Sequence, residues 1–236
     1  MCKYTWDELV IEVTRRCNMA CPHCLRGEAE NRDMSFNLIS KLIMHTTRIG
    51  QLTFTGGEPS LAVMQMRFFR ELCKRHKIPV YGFYVVTNGK EVAQEFLFEM
   101  MQWYAYVLNC GGEAELCGVA LSKDQFHEKI PALNEQLLRG LSFFREDKIN
   151  DFKYGLLDLG RARGIVSYPK RDPLAETLYA EIIDDDDIAI QSCVTMTVDG
   201  DLLTMCDYEY DGIENITAGN IRDMETFEKY VKEIAK

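Results

Sequence analysis

The chain has 236 residues, 47% of them apolar, and a net charge of −10. That size suits one large domain, or a domain with a small appendage, with apolar residues enough for a sizeable core. The acidic balance argues against broad nucleic-acid binding, which needs a basic footprint, and no run approaches the roughly 18 unbroken apolar residues of a membrane span.

No signal peptide opens the chain, so a cytoplasmic place is expected, and there nine cysteines point to metal or redox chemistry instead of disulfides. In chain order, residues 9–13 are rich in β-formers and run into a loop holding Cys17, Cys21 and Cys24. With three and then two residues between them, three thiolates can grip three corners of a four-iron cluster and leave one iron open. Structural zinc is the competing reading, because the His23 ring offers a fourth ligand; zinc sites, however, usually assemble from paired CxxC or His groups. Arg15, Arg16, Arg26 and Arg32 surround this loop, either as ordinary solvated charge or as a patch for an acidic electron donor or anionic substrate.

Ser35 caps a helix carrying Phe36, Ile39, Leu42 and Ile43, followed by a strand at 52–54. A helix with Leu61, Met64, Phe68 and Leu72 comes next, then a strand at 80–86. Val92, Phe96, Met100, Trp103 and Val107 mark a long helix, 118–121 a strand, Leu133, Leu137 and Leu141 another helix, and 154–159 a further strand. A sixth strand falls between Ile165 and Ile183. Repeated β-then-α units favour parallel strands with right-handed crossovers, and five or six are too few for a closed eightfold barrel. The four aspartates at 184–187 read as a solvated turn between strands, since successive carboxylates cannot converge on one ion without other ligands.

Polar and glycine-rich segments fall at the predicted strand ends, where sites gather in such architectures. They are Thr55 with Gly56, Gly57, Glu58 and Pro59; Thr87, Asn88 and Gly89; Ser122; and Gly160, Arg161 and Ala162. Taken singly, each is also compatible with a plain tight turn. Beyond Arg163 the pattern turns antiparallel. Asp199-Gly200 between strands at 194–198 and 202–205 reads as a two-residue hairpin, which sets Val198 opposite Asp201 and Cys193 opposite Cys206. A last helix carries Met224, Phe227, Val231 and Ile234.

The loop Cys17-x-x-x-Cys21-x-x-Cys24 resembles the CxxxCxxC motif of the radical S-adenosylmethionine (radical SAM) superfamily, and the strand-end segments resemble its GGEP, TNG and GRA segments in family order. The likeness spans about residues 9–164. It implies an α/β fold, a partial (β/α)6 TIM-like barrel over 1–164, with 165–236 forming the end of the barrel and a truncated SPASM/Twitch-like extension. It further implies a [4Fe–4S] cluster on Cys17, Cys21 and Cys24, with SAM chelating the open iron. Gly56, Gly57 and Glu58 would meet the SAM amino group, and Arg161 its carboxylate. Thr87, Asn88 and Ser122 would lie beside the cofactor, with His23 where members often carry an aromatic residue. Lys123 and Gln125 depart from the family's segment around Ser122.

A flavodoxin- or ferredoxin-type donor would then supply one electron, cleaving SAM to methionine and a 5′-deoxyadenosyl radical that removes hydrogen from a substrate. The tail and the GRA segment point to a peptide, with a small molecule as the other class. A glycyl-radical-enzyme activase is the runner-up, and an iron–sulfur electron-transfer or metal-binding protein without SAM chemistry is the alternative from another class. In the tail, Cys193 and Cys206 read either as part of an auxiliary cluster, with Cys110 and Cys117 contributing, or as small buried hydrophobes. His127, Cys110 and Tyr168 are polar candidates on the substrate side.

Overall fold

A computed structural model describes residues 2–146, 155–171, 178–184 and 187–235. The first strand, β1 (Lys3–Thr14), starts well before residue 9, because Tyr4 and Trp6 alternate with more exposed residues and stack inside at 5.2 Å. After the cysteine loop, Ser35 Oγ accepts the Leu38 N–H and caps α1 (Phe36–Met44), which buries Leu38, Ile39, Leu42 and Ile43. Then follow β2 (Thr46–Gly56), a 3₁₀ turn (Pro59–Ala62), α2 (Val63–His76), β3 (Val80–Thr87), α3 (Gln94–Asn109), β4 (Cys117–Leu121), α4 (Ala132–Arg139) and β5 (Phe144–Arg145). The strands β1 to β5 lie side by side in chain order, all parallel, with helices supplying the crossovers. Trp103 of α3 is wholly buried against Phe54 and Phe83, so the helix layer and the sheet share one core.

Beyond β5 the expectation of a fifth barrel strand at 154–159 is corrected. Residue 154 lies outside the described residues, and β6 (Leu156–Leu157) pairs only with β7 (Lys170–Arg171), in a small parallel sheet of its own. The segment 165–183 holds two short strands, β7 and β8 (Ala180–Ile182). The sixth parallel strand of the main sheet is β9 (Asp187–Met196), which lies beside β1. Asp184 and Asp187 stand at the junction of β8 and β9, joined by Asp184 N–H to Asp187 O at 3.2 Å; Asp185 and Asp186 lie outside the described residues.

The predicted hairpin forms, but its register is corrected by one residue. Met196 pairs with Leu202 and Thr195 with Leu203 of β10 (Asp201–Leu203), so the loop holds three residues, Val198 to Gly200. Gly200 sits at φ +86°, the left-handed position that closes a three-residue hairpin with a bulge. Cys193 therefore does not face Cys206, and β10 stops at Leu203. A last strand, β11 (Thr217–Asn220), precedes α5 (Met224–Ile234), which packs Phe227 against Tyr4 and Trp6.

The helix α4 also departs from its predicted stripe. Leu133 and Leu137 are exposed and Leu138 is fully buried, because Asn134 donates to Gly89 O and Lys90 O and so turns the face of 134 and 138 toward the sheet. Among the described residues no helix is long and apolar enough to cross a membrane.

Candidate functional site

The C-terminal ends of β1 to β4 converge on a cleft of about 260 Å³ whose walls include Cys17, Cys21 and Cys24. All three thiols come from the loop that leaves β1, where Cys24 N–H donates to Cys21 O at 3.2 Å and Met19 N–H points at Cys17 Sγ at 3.5 Å. Burial pushes the Cys17 thiol up, and the Met19 N–H opposes that shift.

The turn after β2 is laid against the start of this loop. Gly57 N–H donates to Thr14 O and Glu58 N–H to Arg16 O, both at 2.8 Å, so main chain at 57–58 extends the β1–β2 contact past the strand ends. The Glu58 side chain is buried and turned toward its neighbours. Its Oε1 accepts from Ser60 N–H at 3.0 Å and Thr87 Oγ1 at 2.7 Å, and its Oε2 from Asn88 N–H at 2.7 Å. Burial raises this carboxyl above its ordinary range, while those three donors favour the anion. Glu58 and Thr87 therefore join two strand ends to each other. Asn88 reaches outward, donating to Asn18 Oδ1 at 2.9 Å and lying 3.8 Å from Cys17 Sγ.

The segment after β4 holds the cysteine loop at several successive residues. Lys90 Nζ donates to Asn18 O and pairs with Glu128, whose carboxylate accepts from the Ala20 N–H. Asp124 pairs with His23 Nε2 at 3.2 Å and with His127 Nδ1 at 2.9 Å. The His23 ring stacks on Phe126 with centroids 4.9 Å apart. Ser122 Oγ lies 3.1 Å from His127 Nε2, and His127 and Cys21 both line the cleft. Burial works against both ionised partners. The two histidines nevertheless hold the Asp124 carboxyl well below the usual range, and Asp124 with Cys21 pushes His127 up to about 9. Of the predicted substrate-side residues, His127 lines the cleft, Tyr168 accepts from Gln125 Nε2 at 2.5 Å behind Phe126, and Cys110 closes α3 against the core.

Gly160 and Arg161 belong to a 3₁₀ turn (Gly160–Gly164) pressed onto the cysteine loop. Arg161 N–H donates to Cys24 O at 3.0 Å, and a Cβ on Gly160 would stand 2.6 Å from that oxygen and 2.5 Å from Leu25 O. The Arg161 side chain enters the cleft with Nη1 on Glu28 at 3.2 Å.

The tail completes the wall, which sequence reasoning missed. Tyr210 N–H donates to Arg26 O, and Glu209 accepts from Gly160 N–H and from Arg163 through two bonds of 2.6 Å. Nothing local in the segment signals that contact, because its partners lie far away in the chain. The reading of the arginines as solvated charge or as a docking patch is corrected for two of them. Arg15 is buried among Glu12, Glu30 and Asp199 with its guanidinium over Tyr210, and Arg26 is buried over Tyr208 at 3.6 Å. Arg16 and Arg32 pair with Asp33 and with Glu30 and Asp199.

The residues present fit an iron–sulfur cluster with an anionic ligand beside it. Three thiols of one loop edge one cleft, a donor set suited to iron–sulfur ligation. Arg161 Nε is buried without a hydrogen-bond partner among the described residues, and such an orphan calls for an acceptor that the protein itself does not supply. Ligation would require each thiol to lose its proton.

The family model described as the radical SAM superfamily matches residues 11–155. A tungsten-containing aldehyde ferredoxin oxidoreductase cofactor-modifying protein of Pyrococcus furiosus is 31% identical over 100 residues, covering 40% of this chain and 27% of that protein. An uncharacterized protein of Methanocaldococcus jannaschii is 40% identical over 57 residues, 22% of this chain and 20% of its own length. The matched stretches thus span only about a quarter or less of these curated relatives. Among solved structures, native anSMEcpe with bound AdoMet and Cp18Cys peptide has the same fold, with a TM-score of 0.56 at 14% identity over 99% of this chain and 84% of that one.

Proposed function

The chain belongs to the radical SAM superfamily, and on that premise we propose that it cleaves S-adenosylmethionine reductively and removes a hydrogen atom from a peptide. The family's cofactors, a [4Fe–4S] cluster and SAM, supply a 5′-deoxyadenosyl radical when bound and reduced by one electron. Cys17, Cys21 and Cys24 would hold the cluster. Arg161, with its orphaned Nε, would bind the SAM carboxylate. Main chain at Gly56 and Gly57 borders the same cleft, with Asn88, Ser122 and His23 around it, while Glu58 and Thr87 act as positioning residues that hold the turn. Met19, buried in the wall, helps to exclude water.

The observation that carries this reading is the convergence of the three thiols and the four strand-end segments on one cleft. A peptide is supported by the peptide bound to the structural neighbour and by the tail that brings Tyr210 to the cleft. A small-molecule substrate is the second reading, favoured by the match to a cofactor-modifying protein. The electron donor is of the flavodoxin or ferredoxin type.

Protein reconstituted anaerobically with iron and sulfide, then given dithionite and SAM, is expected to release 5′-deoxyadenosine and methionine. A protein that binds four irons yet yields no 5′-deoxyadenosine overturns the reading. Hydrogen loss from an added peptide separates a peptide-modifying enzyme from an activase, which would leave a radical on a partner protein.

A further inference from the structure

We propose that His23, Asp124 and His127 form a binding site for one divalent transition-metal ion of the zinc class, beside the three thiols and separate from them. The site uses no cysteine, so it goes beyond the reading of Cys17, Cys21 and Cys24 as cluster ligands.

Two imidazoles and a carboxylate are donors that suit zinc and its neighbours, and three protein ligands leave a position open for water or a substrate atom. One ligand atom from each of the three side chains lies within 4.8 Å of the others. Asp124 Oδ1 stands 2.9 Å from His127 Nδ1, and its Oδ2 stands 3.2 Å from His23 Nε2. Ligand atoms about 2.1 Å from one ion stand about 3.0–3.4 Å apart for angles near 90–110°, which is close to both contacts. The two rings meet edge to face with centroids 5.0 Å apart, and both line the cleft, so the open position gives onto it.

His127 carries the argument. Its side chain is 10% exposed and that of Asp124 8%. The buried Nδ1 has no hydrogen-bond partner among the described residues, although a carboxylate oxygen is only 2.9 Å away. Across the ring, Nε2 lies 3.1 Å from Ser122 Oγ. A neutral ring that donates its Nε2–H to this hydroxyl turns the Nδ1 lone pair toward Asp124, and two electron-rich atoms so close call for a cation between them. Metal-binding histidines hold their second nitrogen in this way, which fixes the tautomer and the ring. Phe126 supplies the rest of this outer layer. Its N–H donates to Asp124 Oδ1 at 2.7 Å, and its ring stacks on His23 at 4.9 Å.

Two other arrangements compete. A proton on His127 Nδ1 would join the same pair without a metal, but Nδ1 makes no directed hydrogen bond to Asp124. Alternatively, His23 would share an ion with Cys21 and Cys24, but its Nε2 is drawn to Asp124. Both are outcomes of the test.

Protein reconstituted anaerobically with iron and sulfide is desalted, given excess Zn²⁺ and exchanged against a weak chelator. Zinc stands above ferrous iron in the affinity order, so it displaces iron left at the site. One zinc per chain is expected beside the four irons. X-ray absorption at the zinc edge should show nitrogen and oxygen at about 2.0–2.2 Å and no sulfur at about 2.3 Å. D124N and H127A, folded as wild type by circular dichroism, are expected to bind zinc about a hundredfold more weakly, and S122A about tenfold. No zinc on the wild-type protein overturns the proposal and leaves a proton as the occupant. A zinc–sulfur distance overturns it as well, since the ion would then sit on the cysteines. Wild-type affinity in both D124N and H127A is equally fatal. Should those variants fail to fold, the wild-type zinc edge decides, because scattering from two imidazole rings supports the site and scattering from one or none removes it. Counting iron separately keeps the two readings apart. Zinc in this shell without iron removes the cluster and leaves the site, whereas four irons without zinc does the reverse.

Discussion

The Asn88 main-chain N–H donates to Glu58 Oε2 at 2.7 Å, which ties the end of β3 to the turn after β2. Two segments that the sequence offers as separate motifs are therefore one buried polar unit, with Thr87 and Ser60 as its other donors. The unit sets the height of Asn88 over the cysteine loop.

Replacing Glu58 by Ala removes the acceptor of three buried donors at once. The loss is expected to be on the order of 2–4 kcal/mol, since each orphaned group carries its own desolvation cost. Urea denaturation should show a lower midpoint at unchanged slope. A change below about 0.5 kcal/mol would mean that the carboxylate is not the tie described.

Gly160→Ala tests the close approach of the 160–164 turn to the cysteine loop. At φ +50° with carbonyl oxygens 2.5 and 2.6 Å from the added carbon, the turn must move away from Cys24. A cost of roughly 1–3 kcal/mol is expected from the strained backbone, together with poorer iron retention. Gly164→Ala is the control, because nothing lies within 4 Å of its added carbon. If the two variants melt alike and hold equal iron, the packing argument fails.

Glu209→Ala cuts the tail from the turn at Gly160 and Arg163. Global stability should fall only modestly, because the Arg163 end of the pair is largely exposed. Amide hydrogen exchange around Tyr210 and in the cysteine loop should instead accelerate clearly. Exchange unchanged at Tyr210 would show that the tail is held by its other contacts.

Iron content distinguishes one cluster from two. Replacing Cys17, Cys21 and Cys24 together by Ala should reduce iron to background, whereas Cys193→Ala and Cys206→Ala should leave it at the wild-type level. The geometry motivates this, since β9 buries Cys193 in the main sheet and β10 ends before Cys206 can face it. Iron retained by the triple variant in a folded protein would establish an auxiliary site.

Much of this was legible in the sequence because the βα units are local. Apolar runs ending in glycine-rich or polar turns mark β2 to β4, and the motifs at their ends meet in one cleft simply because parallel strands end on one side of a sheet. Where the reading slipped, the deciding contact was of another kind. Gly200 takes a left-handed place in a three-residue loop, a choice the Asp199-Gly200 pair alone does not make. Asn134 turns α4 by binding carbonyls at the end of β3, so Leu138 replaces the predicted stripe. The insertion of β9 beside β1, and of Tyr210 beside Arg15, joins residues far apart in the chain and leaves no local periodicity to read.

The place of β9 beside β1 has a consequence for the order of assembly. While the chain is being made, β1 emerges first and can pair with β2, yet its other edge stays open until Asp187–Met196 follows. The loop that begins where β1 ends also waits for Glu209 and Tyr210 to be synthesised before its outer wall is closed. Contacts of such long sequence separation form late and slowly. Metal delivered to a growing chain would thus meet three cysteines on an unfinished edge, so loading belongs after synthesis, when the last quarter of the polypeptide has come back to meet the first.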